Sequence, residues 1–318
     1  MYALQVVEAW RMVRRSVPVP SPAEGEATIR LRYATVCGSD VPKFTGAWPD
    51  HAPPLPLGAP LHECAGTVLA SRIPRLLPGT PVLAIPNDDT GLAEVFAAGA
   101  ERIAPLTDWS TVELPYAPLG QPAAAVLHGL RRLGSVRGAR VTLIGLGGIG
   151  LICGLLLARR GIAGLTAIEP NAFRRTAGAT LLGATVYSGW SATLSASADI
   201  VVEAVGHDEY GRTLQLCLDA VRPGGRILLL GNPANTGYAI GVHPLVRRNL
   251  TVVGSISPPW RRYLRAGARA VHADLAGFRS LITGRMLWHD AESVFREHAD
   301  PDGRRIKILL ENPVTADR

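Results

Sequence analysis

Polar and apolar residues alternate along Thr28-Ile29-Arg30-Leu31-Arg32-Tyr33, the period of a strand with one buried face. Gly66 to Ala70 and Thr80 to Ile85 are further short strand candidates, and residues 1–8 read as a first strand. Trp48 to Pro60 contains five prolines, so it is a loop and not a helix. Up to about residue 115 the pattern predicts a small irregular β-barrel. After Pro122 the period changes. Ala123 to Leu133 reads as a helix, Arg140 to Ile144 as a buried strand, Leu151 to Arg160 as a helix and Leu165 to Ile168 as a strand. Asp199 to Glu203 and Arg226 to Leu230 are later strands, separated by a helix over Tyr210 to Val221 and a turn at Arg222-Pro223-Gly224-Gly225. Strands alternating with helices predict right-handed crossovers and a parallel, doubly wound sheet, so the fold class is α/β. The pattern divides the chain into a first domain, 1–120, completed by 258–318 with a last strand at Ile306 to Leu310, and a second over 121–257.

Composition narrows the function classes. At 318 residues, 47% hydrophobic and 19% charged, the chain has the balance of a globular protein large enough for two cores. No uninterrupted apolar run approaches the roughly 18 residues of a membrane span. The first residues lack the basic-then-apolar order of a secretory signal, which makes the cytoplasm the expected compartment. Cysteines at 37, 64, 153 and 217 form no CxxC pair and no disulfide framework, and Cys153 and Cys217 read as small buried hydrophobes in helices. The net charge of +7 comes almost entirely from arginine, because only Lys43 and Lys307 are lysines. The arginines fall in scattered doublets without interleaved aromatics, which argues against a nucleic-acid partner. They leave room for a positive field that attracts an anionic cofactor.

The strand at 140–144 runs into Gly145-Leu146-Gly147-Gly148-Ile149-Gly150 and then into a helix. A bare glycine motif is weak evidence, but strand before and helix after are the context a dinucleotide turn requires. Gly145 suits a tight turn, Gly147 and Gly148 allow close approach of a pyrophosphate, and Gly150 allows the helix to pack on the sheet. Amides at the helix start face the phosphates. Glu169 ends the next strand, 24 residues after Gly145. A carboxylate there accepts from the adenosine ribose and repels a 2′-phosphate, so NAD is favoured. Arg174 and Arg175 keep NADP open.

Cys37-Gly38-Ser39-Asp40 is followed, 25 positions after Cys37, by His62-Glu63. Thiolate, imidazole and carboxylate all suit zinc, although no pair has the short spacing of a finger. Taken alone, these residues read equally as a buried thiol and a packed histidine.

Together the stretches Val36 to Asp40, Leu61 to Val68, Leu92 to Phe96, Val141 to Gly150, Val202 to Gly206, Arg222 to Arg226, Leu250 to Ser255 and Arg305 to Leu310 resemble the medium-chain dehydrogenase/reductase family, the zinc-dependent alcohol and polyol dehydrogenases. The resemblance covers nearly the whole chain in order. It implies a GroES-like catalytic domain and a Rossmann domain with the active site in the cleft between them, a small-molecule alcohol or ketone substrate, and a homodimer or homotetramer joined near Ile227 to Leu230 and the following strand. It makes Cys37 and His62 zinc ligands, Glu63 a neighbour able to ligate, Ser39 the proton carrier at the substrate oxygen and Asp40 the residue that orients His62. Gly206 falls in a cofactor-side loop, and Lys307 is expected to approach the cofactor pyrophosphate.

The chain departs from the family pattern in four places. Between Ile85 and Gly91 only Pro86-Asn87-Asp88-Asp89-Thr90 stands where a lobe with four cysteines is usual, so one catalytic zinc and no structural zinc is expected. Gln121-Pro122 occupies the place of the usual third ligand; glutamine is a weak zinc donor, and Gln121 or water would take the fourth position. Pro42 replaces the usual relay histidine, and His51 is a candidate for the proton exit. Gly58-Ala59-Pro60-Leu61 alters the approach to His62. The reading that follows is reversible NAD(P)-dependent oxidation of a polyol, sugar or aminocyclitol type secondary alcohol, with zinc polarising the oxygen. The alternatives are a zinc-free NAD(P)H reductase of an enone, quinone or imine, and a non-catalytic nucleotide-binding protein on the same fold.

Overall fold

The computed structural model describes residues 1–206, 210–233 and 237–313. Fifteen strands lie among them. In chain order they are β1 (Tyr2–Glu8), β2 (Arg11–Ser16), β3 (Glu26–Thr35), β4 (Glu63–Ser71), β5 (Pro81–Ala84), β6 (Val95–Gly99), β7 (Ile103–Pro105), β8 (Arg140–Ile144), β9 (Gly164–Ile168), β10 (Thr185–Tyr187), β11 (Ala198–Glu203), β12 (Val221–Leu229), β13 (Thr251–Gly254), β14 (Ile282–Leu287) and β15 (Lys307–Glu311). Two compact units result: Met1–Ala124 with Pro259–Arg318, and Ala125–Pro258. The first boundary falls inside the helix Gly120–Leu133.

The first unit holds a sheet in the order β14-β15-β3-β4-β5-β7, with β6 also paired to β3. Strand β3 is the hub, antiparallel to β4, β6 and β15. That position explains a departure from the alternation at 28–33. Thr28 is as buried as Ile29 and Leu31, because neighbouring strands and packing cover both faces of the early part of β3. The core is formed by Ile29, Leu31, Val36, Phe44, Leu61, Phe96, Phe295 and Leu310. The chain returns through β15, which lies beside β3 with Leu309 opposite Thr35, so that the Lys307 ammonium reaches the Val36 carbonyl just past the end of β3.

The second unit is a six-stranded parallel sheet in the order β10-β9-β8-β11-β12-β13. Strand order reverses beside β8, the topological switch point at which an open α/β sheet accepts a ligand. Asp199 pins the near ends of three strands: it accepts from the Arg140 main chain at 2.7 Å and from the Arg222 guanidinium at 2.6 Å. These contacts hold its carboxyl down at about 2, with the Arg222 hydrogen bond as the largest cause. Strand β13 is the edge of this sheet. No helix among the described residues is long and apolar enough to cross a membrane.

Candidate active site

In the first unit the end of β3 runs into a single helical turn, Gly38–Asp40, and then the short helix Val41–Thr45. The tight turn follows from local hydrogen bonds. Asp40 N–H donates to Cys37 C=O at 3.0 Å, and Cys37 N–H donates back to Asp40 Oδ2 at 3.2 Å. The other carboxylate oxygen, Oδ1, lies 3.0 Å from His62 Nδ1. One fully buried aspartate therefore holds both the cysteine turn and the imidazole. With Nδ1 turned to Asp40, Nε2 is the nitrogen left for a metal.

Electrostatics at the pair follow from that geometry. Burial alone would lower the basicity of His62, but the charge and hydrogen bond of Asp40, with the nearby Cys37, outweigh it and hold the imidazole well above its ordinary range. Burial alone would raise the Asp40 carboxyl, and His62 and Lys43 hold it below its ordinary value. Ser39 Oγ lies 3.2 Å from Cys37 Sγ, half-buried beside the sulfur.

Donor atoms of Cys37, His62 and Glu63 all lie within 4.8 Å of one another, and these three are brought together although 25 residues separate Cys37 from His62. A thiolate, a carboxylate-backed imidazole and a second carboxylate are a donor set that fits zinc. Gln121 is buried in the first turn of the helix Gly120–Leu133. His51 is exposed, its ring 5.9 Å from that of Trp48. In place of a cysteine lobe, the turn Asn87–Asp89 binds Leu61 N–H through the Asp89 carbonyl at 2.7 Å and Lys43 through the Asp89 carboxylate at 3.1 Å.

Lys307, expected at a cofactor pyrophosphate, is buried in the first unit. Its ammonium donates to Val36 C=O at 2.9 Å and to both oxygens of Glu63 at 2.6 Å, so all three of its protons are engaged. Thr35, opposite Glu63 in the β3–β4 register, donates its hydroxyl to the same carboxylate. Sequence reasoning missed this Thr35–Glu63–Lys307 cluster. The available signal was compositional, one of only two lysines in a chain whose other basic residues, histidine aside, are arginines.

In the second unit the glycine turn is built as the motif requires. Gly145 has φ +93°, and a Cβ there would lie 2.5 Å from Val205 Cγ2. A Cβ on Gly150 would lie 2.0 Å from the Gly145 carbonyl oxygen. Around Gly147 there is open space. The helix begins at Gly148, three residues earlier than the apolar run indicates, so Gly148 and Gly150 belong to its first turn, where amides have no partner within the helix.

Glu169 is almost completely buried. Its Oε2 accepts from Leu146 N–H at 2.7 Å and its Oε1 from Asn171 N–H at 2.9 Å. The carboxylate thus fastens the glycine turn to the end of β9. Arg174 lies in the first turn of the helix Ala172–Leu182, with its N–H on Asn171 Oδ1 at 3.0 Å. Arg175 folds back onto the carbonyls of Glu169 and Pro170. Gly206 has φ +69°, and its N–H donates to Glu203 Oε1 at 3.0 Å. Glu203, another residue sequence reasoning missed, also accepts from Val205 N–H at 3.0 Å and so shapes the turn after β11. Burial raises its carboxyl, partly offset by these bonds.

Residues 23–123 match the model of the alcohol dehydrogenase GroES-like domain, and residues 148–271 that of the zinc-binding dehydrogenase. The chain is 28% identical to D-altritol 5-dehydrogenase of Agrobacterium fabrum, over 98% of its own length and 100% of the relative. It is 26% identical to sorbitol dehydrogenase of Gallus gallus, over 67% and 70%. The solved galactitol-1-phosphate dehydrogenase of Escherichia coli superposes with a TM-score of 0.83 at 19% identity, covering 98% of this chain and 100% of that one, a likeness of fold.

Proposed function

The chain belongs to the medium-chain dehydrogenase/reductase family and is an oxidoreductase of the NAD(P)-dependent alcohol dehydrogenase type; on that premise we propose that it interconverts a secondary alcohol of polyol, sugar or aminocyclitol type and its ketone, with one catalytic zinc per chain and no structural zinc. The observation that carries the reading is the meeting of Cys37, His62 and Glu63 donor atoms within 4.8 Å, with Asp40 behind the imidazole.

Cys37, His62 and Glu63 would hold the metal, with Gln121 or water in the fourth position. A bound zinc ion supplies Lewis acidity, which lowers the basicity of the substrate oxygen. Asp40 keeps the imidazole in the tautomer that leaves Nε2 free. Ser39 stands beside the ligating sulfur, where its hydroxyl accepts the proton of the substrate alcohol and passes it outward. Pro42 denies the route of a histidine at that position, and the proton leaves by way of exposed groups such as His51.

The glycine turn from Gly145 to Gly150 cradles the pyrophosphate of the hydride carrier. Glu169 favours NAD over NADP, since a 2′-phosphate would approach a buried anion. The protein operates in the cytoplasm as a homodimer or homotetramer, with β13 as the contact edge.

The D-altritol and sorbitol relatives support a polyol substrate. The competing reading is a zinc-free reductase, and Gln121 in place of a stronger ligand favours it. Elemental analysis of gently purified protein, paired with NAD+ and NADP+ reduction over a panel of polyols and aminocyclitols, decides between them. About one zinc per chain with polyol turnover supports the first reading. Full activity on an enone or quinone without metal removes it.

A further inference from the structure

We infer that Lys43 and Asp89 form a substrate subsite beside the metal site: an ammonium and a carboxylate, side by side, that read two neighbouring hydroxyls of an uncharged polyol. The inference rests on the polyol reading above and deepens it, because it separates a neutral polyol from the phosphorylated and amino compounds of similar shape.

The pair stands between the two segments that carry Cys37 and His62. Lys43 follows Asp40 by three residues in the helical run from Gly38 to Thr45, the spacing that sets two side chains on one face. Asp89 is bound to the other segment. Its carbonyl accepts at 2.7 Å from the N–H of Leu61, the residue before His62. The Lys43 ammonium meets Asp89 Oδ2 at 3.1 Å.

This ion pair has hydrogen-bonding capacity to spare. Lys43 uses one of its three ammonium protons on Asp89 and has no second partner among the described residues. Its side chain is 14% exposed and that of Asp89 34%, so both reach solvent from a mostly covered position. Hydrogen bonds made there involve an ionised partner and are the stronger for it. A hydroxyl both donates and accepts. Two hydroxyls on adjacent carbons can therefore bridge the pair, one accepting from Lys43 and the other donating to Asp89.

Backbone and residue type agree with this use. Asp88 and Asp89 have φ of 51° and 56°, two consecutive left-handed residues that are not glycine. Strain of this kind persists only where the surroundings enforce it, and it concentrates at ligand sites. Here it lets one residue give its carbonyl to Leu61 and its carboxylate to Lys43. Lys43 is one of two lysines in a chain rich in arginine. An ammonium holds Asp89 and keeps protons for a ligand, whereas a guanidinium fork would close on both carboxylate oxygens.

Charge selects the ligand class. Lys43 and Asp89 cancel one another. A phosphate would be drawn to the first and repelled by the second, and a ligand ammonium the reverse. Only a neutral pair of hydroxyls is served by both.

The test follows NAD+ reduction by the whole zinc-loaded protein with D-altritol, with sorbitol and with 2-butanol, which has no second hydroxyl. Lys43→Met is expected to lower the preference for the better polyol over 2-butanol, as a ratio of kcat/KM, by about ten- to a hundredfold. The loss should appear in the KM of the polyol rather than in kcat, with the zinc content of the parent. Calorimetric titration of the same polyol into the protein–NADH complex should show a matching loss of affinity, and it decides the matter if the parent does not oxidise 2-butanol. Asp89→Asn preserves the left-handed turn, which asparagine tolerates, and should move the ratio the same way by less. It decides by the same ratio if Lys43→Met does not fold. A fall in kcat or zinc content with KM and polyol affinity unmoved makes the pair a brace and overturns the inference, as does no change at all. A parent that oxidises neither polyol overturns the polyol reading and this inference together; polyol turnover with an unmoved ratio and affinity overturns only this one.

Discussion

The two units of the molecule assemble their chemistry in opposite ways. In the second unit the functional backbone is local. Residues 144–150 form one uninterrupted strand, turn and helix start, fastened by Glu169 just after β9, while Glu203 at the end of β11 shapes the adjoining turn. In the first unit almost nothing is local except the turn from Cys37 to Asp40. His62 meets Asp40 across 22 residues, and Lys307 meets Glu63 across 244. A backbone cradle can be built from a few consecutive glycines, because it needs only amides and space. A metal site needs particular side-chain atoms from separate strands, so it inherits the register of a whole sheet.

That contrast sets what each substitution should break. The largest effect is expected from Cys37→Ala, which removes the only thiolate in the cluster. Metal content should fall to background and alcohol turnover by about a thousandfold or more, a loss of roughly 4 kcal/mol in transition-state stabilisation, while the fluorescence titration with dinucleotide stays as in the parent. Loss of dinucleotide binding as well would mean that the two halves of the chemistry are not separable.

Gly150→Ala is the converse experiment. Its Cβ would press on the Gly145 carbonyl oxygen at 2.0 Å, a backbone contact that no rotamer relieves. Overpacking of this kind costs about 3 kcal/mol. Dinucleotide affinity should collapse with it, and zinc content should not. Chemical denaturation and metal analysis of the same preparation check both halves.

The smallest effect is expected at Asp199, which braces strands without touching either site. Its folded value of about 2 lies below the unfolded carboxylate value of about 3.9. A depressed folded value adds stability that is fully present above the unfolded value and is lost as pH falls through about 2. Asp199→Asn should therefore lower stability by about 1 kcal/mol at neutral pH, and the difference from the parent should shrink between about pH 4 and pH 2. An undiminished difference in acid would assign the effect to packing.

The same contrast explains what was legible in the chain. The alternation of strands and helices after Pro122, the glycine turn and Glu169 are readable because period and spacing report local geometry. The cysteine turn was readable as a motif, and its partnership with His62 came only through family resemblance. Thr35 gave no signal at all. It is an ordinary β-branched residue at the end of a strand, and its role exists only because β4 sets Glu63 opposite it. Lys307 was visible, but its contact with Glu63 was not, since nothing in a linear sequence reports that β15 lies against β3. The early helix start at Gly148 escaped notice because glycine reads as a breaker, whereas here the first turn needs bare backbone more than helix propensity.

The four thiols of the chain are not equivalent. Cys64, Cys153 and Cys217 have no exposed surface, and burial pushes each upward, Cys153 to about 12, so they stay protonated and inert. Cys37 alone is half-open. A thiol-directed reagent arriving from solvent thus finds a single accessible thiol, the sulfur of the proposed metal site. If the proposed role of Cys37 holds, modification would be all-or-none per molecule, with no other accessible cysteine to absorb the blow.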